Sequence, residues 1–306
     1  KIDDTGKAIV KVKLRKKSDE DYKKQQEALK DDKQARLFLK VTCQGDDRKH
    51  KIAFINHLKL MLGGKCYCNK EIDLELINQI LPADVKEKGL FYKSRYSQIS
   101  GLSIDEFLTS LNKSMEDFEI KTCLQKAHFL SQILLECDNL RTTEEYGYNN
   151  PPSYWSNYKG GSKYHGRGLI QLTHDYNYKE FGNSIGVNLV QKPDQLASNI
   201  DYVTKSACWY WRKGSAWGDL NKYADKDDIH YITIGVNGGF NHYCDRKNNL
   251  IKLVDFMKID DLCSNTSSLE KDVGTYSFET SSLSQSKVGT KFWNSAKYNK
   301  YKKCEK

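Results

Sequence analysis

The sequence predicts a mainly α-helical fold preceded by a small β-containing module, and three features support this. Apolar residues recur at helical spacing between about 70 and 262, which is typical of amphipathic helices packed around a core. A capping-box pattern at 103–106 marks the start of a helix. Alternating β-branched residues at 8–14 and 37–43 predict a β-containing module or linker over 1–69.

Two helical segments are defined closely enough to place their ends. The stretch 72–81 has apolar residues at helical spacing and stops before Pro82, whose ring disfavours continuation of a helix. The stretch 124–137 places apolar residues on one face. It predicts a buried core helix with Glu136 in its last turn.

Two further stretches lack this periodicity. Residues 141–168 are rich in Tyr, Asn, Gly and Pro with almost no aliphatic residues, which predicts a long surface loop of the kind that lines a site. Beyond 262 the aliphatic content falls, and Ser, Thr and Lys become frequent. We therefore interpret 263–306 as a basic Ser- and Lys-rich C-terminal extension of a domain over 70–262.

Charge is distributed unevenly along the chain, whose net charge is +9. Lys and Arg outnumber Asp and Glu by 18 to 10 over 1–69 and by 8 to 4 over 263–306, whereas 70–262 has 23 against 26. The acidic middle argues against a groove that follows nucleic-acid phosphates, so no nucleic-acid partner is expected. The basic flanks fit either attraction to an anionic polymer or solvated surface charge. No apolar run approaches the roughly 20 residues that span a bilayer, so no membrane span is predicted.

Cys66 and Cys68, with Cys43 and His50 upstream, form the one arrangement that suggests a zinc site. Their spacing is not Cys-x2-Cys, however, and the sequence offers no second cysteine pair to complete a four-ligand set. We therefore predict no metal, and no feature of the sequence indicates a cofactor.

Nine cysteines are an odd number, so at least one is unpaired within the chain. Cys123 and Cys137 share a helical face but lie about 20 Å apart along it, too far for a disulfide. Cys208 and Cys244 are separated enough to pair, which the sequence leaves open. We expect 208–211 to pack on the core. The polar residues of the predicted core helix are interpreted as ordinary helix residues: Lys126, His128 and Gln132.

Two carboxyl groups in unlike settings are the strongest candidates for chemistry. Hydrolysis of a glycosidic bond needs one protonated carboxyl to protonate the leaving oxygen and one carboxylate to activate water or attack the sugar. Glu136 ends an apolar helix, where partial burial favours the protonated form. Glu144 and Glu145 follow in a polar loop that favours the ionised form. Taken alone, such glutamates are more often structural.

A second motif lies shortly downstream. Gly166 and Gly168 bracket Arg167 in a pattern that indicates a tight backbone path. A second glycine turn at 235–239 presents Asn237. Uncharged hydrogen-bonding groups of the kind that hold sugars follow the first motif at Gln171, Thr173 and Asn177.

Taken in order, these motifs resemble glycoside hydrolase family 19, which includes the plant-type chitinases and related phage and bacterial endolysins. The resemblance covers about 72–262 and runs through 111–120, 127–132 and 166–173 to 236–239. It implies a lysozyme-like, two-lobed, α-rich catalytic domain with the cleft between the lobes. It also implies inverting hydrolysis of β-1,4 bonds between N-acetylated amino sugars.

The resemblance further implies roles for individual residues. Glu136 matches the family's general acid, Glu145 its general base, and Thr173 the hydroxyl that helps to place the attacking water. Gln171 and Asn237 match substrate-binding amides. Further candidate substrate contacts are Tyr164, Arg167 and Asn177.

The loop between acid and base departs from the family pattern. The family usually has His before the acid and a small Ser-Gly-Gly turn after it, whereas this chain has Leu135 before Glu136 and Cys137-Asp138-Asn139 after it. Glu144 is the alternative base, because the match between this loop and the family motif can shift by one residue.

Peptidoglycan is the substrate favoured by the sequence, with chitin as the alternative. The gap of nine residues between acid and base is short, as in the phage and bacterial relatives, whereas plant-type chitinases carry a longer insertion there. A shorter loop leaves a more open cleft that admits lactyl groups and stem peptides. A third possibility, glycan binding or targeting without cleavage, is disfavoured because Glu136, Glu145 and Thr173 are all retained.

Residues 1–21 are dense in charge and contain no apolar stretch typical of a secretory signal. We therefore expect secretion or delivery to the cell wall or periplasm of a target bacterium by a phage-like or contact-dependent apparatus. Besides the polysaccharide substrate, a delivery or immunity protein is the expected partner.

Overall fold

Helices form all of the long regular elements of the computed structural model, which describes residues 66–263, 266, 269 and 271–305. The predicted mainly α-helical fold is confirmed for this part of the chain. The chain divides after Gly63, and the described residues belong to its second unit, Gly64–Lys306. The β-containing module predicted over 1–69 lies, up to residue 65, outside the described residues.

The helices of the described part are joined by connections of varied length, and a long one runs from 137 to 174. The α-helices are α1 (Leu74–Ile80), α2 (Ala83–Lys88), α3 (Ile104–Asp117), α4 (Cys123–Glu136), α5 (Asp175–Ser184), α6 (Gln195–Ser198), α7 (Ile200–Trp209), α8 (Asn221–Ala224), α9 (Ile229–Asn237), α10 (Tyr243–Phe256), α11 (Ile259–Leu262) and α12 (Lys287–Trp293). A π-helical turn, Tyr210–Gly214, extends α7. The 3-10 turns are Tyr67–Asn69, Ser153–Asn157, Ser162–Tyr164, Phe278–Thr280, Ser282–Gln285 and Ala296–Glu305.

Two helix ends lie where the sequence predicts them. Helix α1 begins after Asp73, whose carboxylate accepts the Leu76 amide at 2.9 Å, and it ends before Pro82. Ser103 and Glu106 form the predicted capping box of α3, because each side chain accepts the other's backbone amide. These caps satisfy amides that have no partner within the helix.

Helix α4 is the predicted core helix, and Glu136 is its last residue. All residues from 123 to 134 are buried. This burial follows from packing, since α9 and α10 both contact α4. A second helix pair, α3 and α7, packs within the same unit. The helix therefore presents the Glu136 carboxyl at the edge of the core.

Two polar residues of α4 are buried in specific contacts, which corrects their interpretation as ordinary helix residues. His128 Nε2 lies 2.9 Å from a carboxylate oxygen of Asp227, and both side chains are fully buried. The Lys126 ammonium donates to the carbonyl oxygens of Tyr67 and Lys70 at 2.8 and 2.9 Å. Both contacts tie α4 to segments that are distant in sequence.

The described residues of the predicted C-terminal extension pack onto the helical unit. Asp227 accepts hydrogen bonds from the Tyr276 hydroxyl at 3.0 Å and the Gly274 amide at 3.1 Å. Asp228 accepts the Ser281 hydroxyl and the Ser282 amide, both at 2.7 Å. The described residues of this segment therefore pack as part of the helical unit rather than as a detached tail.

Trp293 is the apolar centre of this C-terminal contact. Its side chain is 4% exposed. Its ring stacks on Phe278 with 5.1 Å between centroids and meets Phe240 and Tyr243 edge-on at 4.9 and 5.6 Å. Aromatic contacts of this kind add to the area that the rings bury. The C-terminal segment thus covers the junction between α9 and α10.

The cysteines pair differently from the possibility left open by the sequence. Cys244 forms a disulfide with Cys304, whereas Cys208 is fully buried within α7. Trp209 and Trp211 are also buried, so the expected packing of 208–211 on the core is confirmed. No helix in the described part of the chain is long and apolar enough to cross a bilayer.

We expect Trp293→Ala to lower the free energy of unfolding by about 3–5 kcal/mol, because it removes a large buried ring and leaves a cavity. Urea denaturation followed by circular dichroism measures the loss. The neighbouring Phe292 is only partly buried, so Phe292→Ala is the control and should cost much less. Equal losses for the two variants would contradict the anchoring role of Trp293.

Candidate active site

Glu136 is held at the end of α4 by an arginine from α10. Arg246 Nη2 donates to Glu136 Oε1 at 2.5 Å, and Nη1 donates to Gln132 Oε1 at 2.7 Å. The Arg246 side chain is 1% exposed, and its Nε also donates to the Asn241 carbonyl. A guanidinium bound at three points can move little. Arg246 therefore fixes the direction of the Glu136 carboxyl.

The turn after Glu136 accommodates the departure from the family pattern. Asp138 and Asn139 have φ of 50° and 53°, in the left-handed region. Glycine adopts this conformation most readily, and Asp and Asn tolerate it best among the other residues. They stand where the family usually has two glycines. Leu140 also has positive φ, and its amide donates to the sulfur of Cys137 at 3.3 Å.

Glu144 is a buried anion inside a cage of cationic and aromatic donors. Its side chain is 3% exposed, and it accepts Arg95 Nε at 2.7 Å and Arg167 Nε at 3.0 Å. His165 Nε2 lies 2.8 Å from the same carboxylate. Burial raises the pKa of Glu144, but the hydrogen bonds from His165 and Arg95 and the charge of Arg167 outweigh it and lower the pKa to about 2. His165 and Arg167 are buried with Glu144, and its carboxylate is already engaged by these protein donors, which argues against Glu144 as the base.

Glu145 points away from this cage. Its Oε1 accepts the hydroxyls of Tyr154 at 2.9 Å and Tyr158 at 3.1 Å, and its Oε2 accepts the Gly166 amide at 3.1 Å. Glu144 pairs with Arg167 in a β-bridge, and successive side chains of extended backbone face opposite sides. Burial of Glu144 therefore directs Glu145 outward, towards the tyrosines.

The two glycines around Arg167 are closely packed, and Gly168 also has a backbone conformation that favours glycine. A side chain at Gly166 would place Cβ 2.9 Å from Gln171 Oε1. Gly168 has φ of 76°, and its Cβ would lie 2.6 Å from the Ser206 hydroxyl. The Gly168 amide also donates to the Thr143 carbonyl at 2.8 Å. This path holds the Gly166 amide against Glu145.

The predicted sugar-binding residues after this path are linked to one another. Gln171 Nε2 donates to the Gly168 carbonyl at 3.0 Å, and the Thr173 hydroxyl donates to the Gln171 carbonyl at 2.8 Å. Asn177 Nδ2 donates to the Thr173 carbonyl at 2.8 Å. Gln171, Thr173 and Asn177 are each partly exposed. The predicted set is therefore one local cluster on the segment that also contacts Glu145.

The remaining predicted contacts separate into two groups. Asn237 is the last residue of α9, and its buried Oδ1 accepts no hydrogen bond from the described residues. Tyr164 and Arg167 are buried, with their polar atoms directed inward. The Tyr164 hydroxyl donates to the Val190 carbonyl, and Arg167 binds Glu144 and Asp194. Both contacts suggest supporting positions behind the site.

Sequence reasoning missed several residues that build the site. Arg246 lies 110 residues from Glu136 and carries no motif that would connect them. Tyr154 and Tyr158 belong to the loop predicted to line a site, but its many tyrosines gave no means of choosing between them. In the described part of the chain, the one group of possible metal ligands is a cysteine cluster at the other end of α4. Within that part, no such group surrounds Glu136 and Glu145.

Residues 136–235 match the family model of glycoside hydrolase family 19, described as chitinase class I. The match begins at Glu136 and includes Glu145, Gln171 and Thr173. The family resemblance inferred from the sequence is confirmed over this segment.

Curated relatives share short stretches with the chain. Endochitinase 3 of Nicotiana tabacum is 46% identical over 68 residues, which are 20% of this chain and 20% of that protein. Endochitinase 1 of Theobroma cacao is 39% identical over 99 residues, which are 30% of this chain and 28% of that protein. The chain thus spans less than a third of the length of these relatives.

Solved structures are similar over more of the chain but at low identity. Chitinase C from Streptomyces griseus covers 65% of this chain and 79% of its own, with 21% identity and a TM-score of 0.48. A family 19, class IV chitinase from Zea mays covers 61% and 90%, with 18% identity and a TM-score of 0.44. Neither TM-score is high enough for a shared fold to follow from it.

We expect Glu144→Gln to destabilise the protein by about 3 kcal/mol at pH 7, the free energy that corresponds to lowering the pKa from 4.5 to about 2. Because the folded pKa is the lower one, this stability is fully present above pH 4.5 and is lost as the pH falls towards 2. Urea denaturation of both proteins at pH 7 and near pH 3 should show the difference shrinking in acid. The exposed Glu180→Gln is the control. A difference independent of pH would refute the buried-anion account.

Proposed function

We propose that this chain, whose residues 136–235 match the class I chitinase model, is a glycoside hydrolase of β-1,4-linked N-acetylated amino sugars. The observation that carries the proposal is the pair Glu136 and Glu145. One carboxyl ends a buried helix against a fixed arginine, and the other is held by hydroxyl and amide donors. Two carboxyls in unlike environments are what acid and base roles require.

Glu136 acts as the general acid in this proposal. Among the described residues, its hydrogen bond to Arg246 engages Oε1 alone, and the side chain is 18% exposed. With Oε1 occupied by Arg246, Oε2 is the oxygen left for proton transfer. That oxygen then donates the proton to the glycosidic oxygen as the bond breaks.

Glu145 acts as the general base. Its carboxylate is surrounded by donors, and it removes a proton from the water that attacks the sugar carbon. The Thr173 hydroxyl, on the segment next to Gly166, orients this water. Inversion requires the two carboxyl groups to lie roughly 6.5–9.5 Å apart, so that the water fits between base and sugar.

Chitin is the substrate class that we propose first. The relatives that match at 46% and 39% identity are both named as endochitinases, and the matching family model is described as chitinase class I. This support favours the alternative of the sequence analysis over peptidoglycan, which had rested on the short loop between the glutamates. Peptidoglycan cleavage, delivery to a bacterial wall and a delivery or immunity partner stay predictions.

We expect Glu136→Gln and Glu145→Gln each to reduce turnover of chitin oligomers by about 10²–10⁴-fold, because the amides preserve shape but cannot exchange the proton. Release of reducing ends measures turnover, and circular dichroism checks the fold. Glu180→Gln, on the exposed face of α5, should keep wild-type turnover. A folded Glu136→Gln variant with normal turnover would exclude this residue from the mechanism. If Glu145→Gln had a mild effect and a folded Glu144→Gln variant lost most of its turnover, the base would be Glu144 instead.

Fresh product from soluble chitin oligomers should be the α anomer, since water attacks the face opposite the leaving group. Proton NMR at early times distinguishes the anomers, and the β anomer alone would contradict inversion. The same preparation should be assayed on purified bacterial sacculi. Cleavage of chitin oligomers without release of muropeptides supports the chitin proposal, whereas the reverse result would overturn it in favour of peptidoglycan.

A further inference from the structure

Four cysteine sulfurs meet at the start of α4. Cys66 and Cys68 come from the first 3-10 turn, Cys123 is the first residue of α4, and Cys263 follows α11. All four Sγ atoms lie within 4.8 Å of one another. The prediction of no metal had rested on the missing second cysteine pair. The fold supplies that pair from two distant segments, Cys123 and Cys263.

The spacing of the sulfurs fits a tetrahedral metal site better than two disulfides. Zinc–sulfur bonds of about 2.3 Å place neighbouring sulfurs of a tetrahedron about 3.8 Å apart, whereas a disulfide needs about 2.05 Å. Cys123 Sγ lies 3.0 Å from Cys66 Sγ and 3.5 Å from Cys68 Sγ. Cys68 Sγ also lies 3.4 Å from Cys263 Sγ. Because Cys68 and Cys123 each approach two other sulfurs, the set does not divide into two pairs.

The groups around the cluster suit a negatively charged metal–thiolate complex. The Cys68 amide donates to Cys66 Sγ at 3.4 Å, and the Cys123 amide donates to Cys68 Sγ at 3.2 Å. The ammonium of Lys126, one turn along α4, is buried against carbonyls of the cysteine-bearing turn. Zn²⁺ with four thiolates carries a net charge of −2, which N–H donors and a buried cation offset.

We propose that Cys66, Cys68, Cys123 and Cys263 bind one Zn²⁺ in a structural site. On binding, four S–H protons pass to the solvent, four Zn–S bonds form and no oxidation state changes. Four protein ligands fill the tetrahedral shell and leave no position for a reacting water.

The zinc site is separate from the proposed chemistry. Cys123 begins and Glu136 ends the same helix of 14 residues, so the two lie about 20 Å apart. None of the four cysteines falls within the segment 136–235 that matches the family model. The ion would instead fasten the start of α4 to the turn before α1 and to the segment after α11.

The metal content of the purified full chain tests the proposal. After dialysis into metal-free buffer, mass spectrometry of the elements should find about one zinc per wild-type chain. Cys66→Ser and Cys263→Ser should each lose most of this zinc. Cys208→Ser is the matched control, because it replaces a buried cysteine outside the cluster, and it should keep about one zinc.

A second measurement needs no variant and therefore does not depend on whether the serine variants fold. In the wild-type protein, iodoacetamide should leave the four cysteines unmodified until denaturant and chelator are added together. Peptide mapping should then find all four alkylated. Disulfide-linked peptides from these cysteines before reduction, a wild-type chain without zinc, or equal zinc in wild type and C66S would each overturn the proposal.

Discussion

The burial of the Glu144 carboxylate is the constraint on which the candidate site depends. A buried anion must be paired, and Arg95, His165 and Arg167 provide the partners from two different segments. Because the Glu144 side chain points into the interior, and successive side chains of extended backbone face opposite sides, the Glu145 side chain faces the other way. Arg167, one of these partners, lies between two closely packed glycines. The carboxylate that we propose as the base is thus positioned by a neighbouring residue that we expect to take no part in the chemistry.

Helix α4 connects the two regions about which we make proposals. Its residues 123–134 are buried in the core, and contacts from distant segments hold both of its ends. At the start, Cys123 and Lys126 meet the turn that carries Cys66 and Cys68. At the end, Arg246 from α10 holds Glu136. A zinc ion at the first end would restrain the helix about 20 Å from Glu136, so different residues would provide the stability of the site and its chemistry.

The helices could be predicted largely from local signals. The capping box of Ser103 and Glu106, the stop before Pro82 and the apolar face of α4 each depend on a few neighbouring residues. They can therefore be recognised in the amino-acid sequence. The packing of the C-terminal residues was harder to predict, because a low aliphatic content is typical of a detached extension. They form hydrogen bonds to Asp227 and Asp228, and Trp293 packs against Phe240. These three partners of the C-terminal segment lie more than 40 residues earlier in the chain.

By itself the sequence determined the helical character of the chain, the two candidate glutamates and the glycine-bracketed motif, since each depends on neighbouring residues. Only the tertiary structure decided that Glu144 faces inward and Glu145 outward, that Arg246 holds Glu136, and that Cys123 and Cys263 complete a set begun by Cys66 and Cys68. The physical reason is common to all three. Ion pairing, hydrogen bonding and metal coordination act through distances of a few ångströms, and residues between 21 and 195 positions apart reach such distances only when packing of the core brings their segments together.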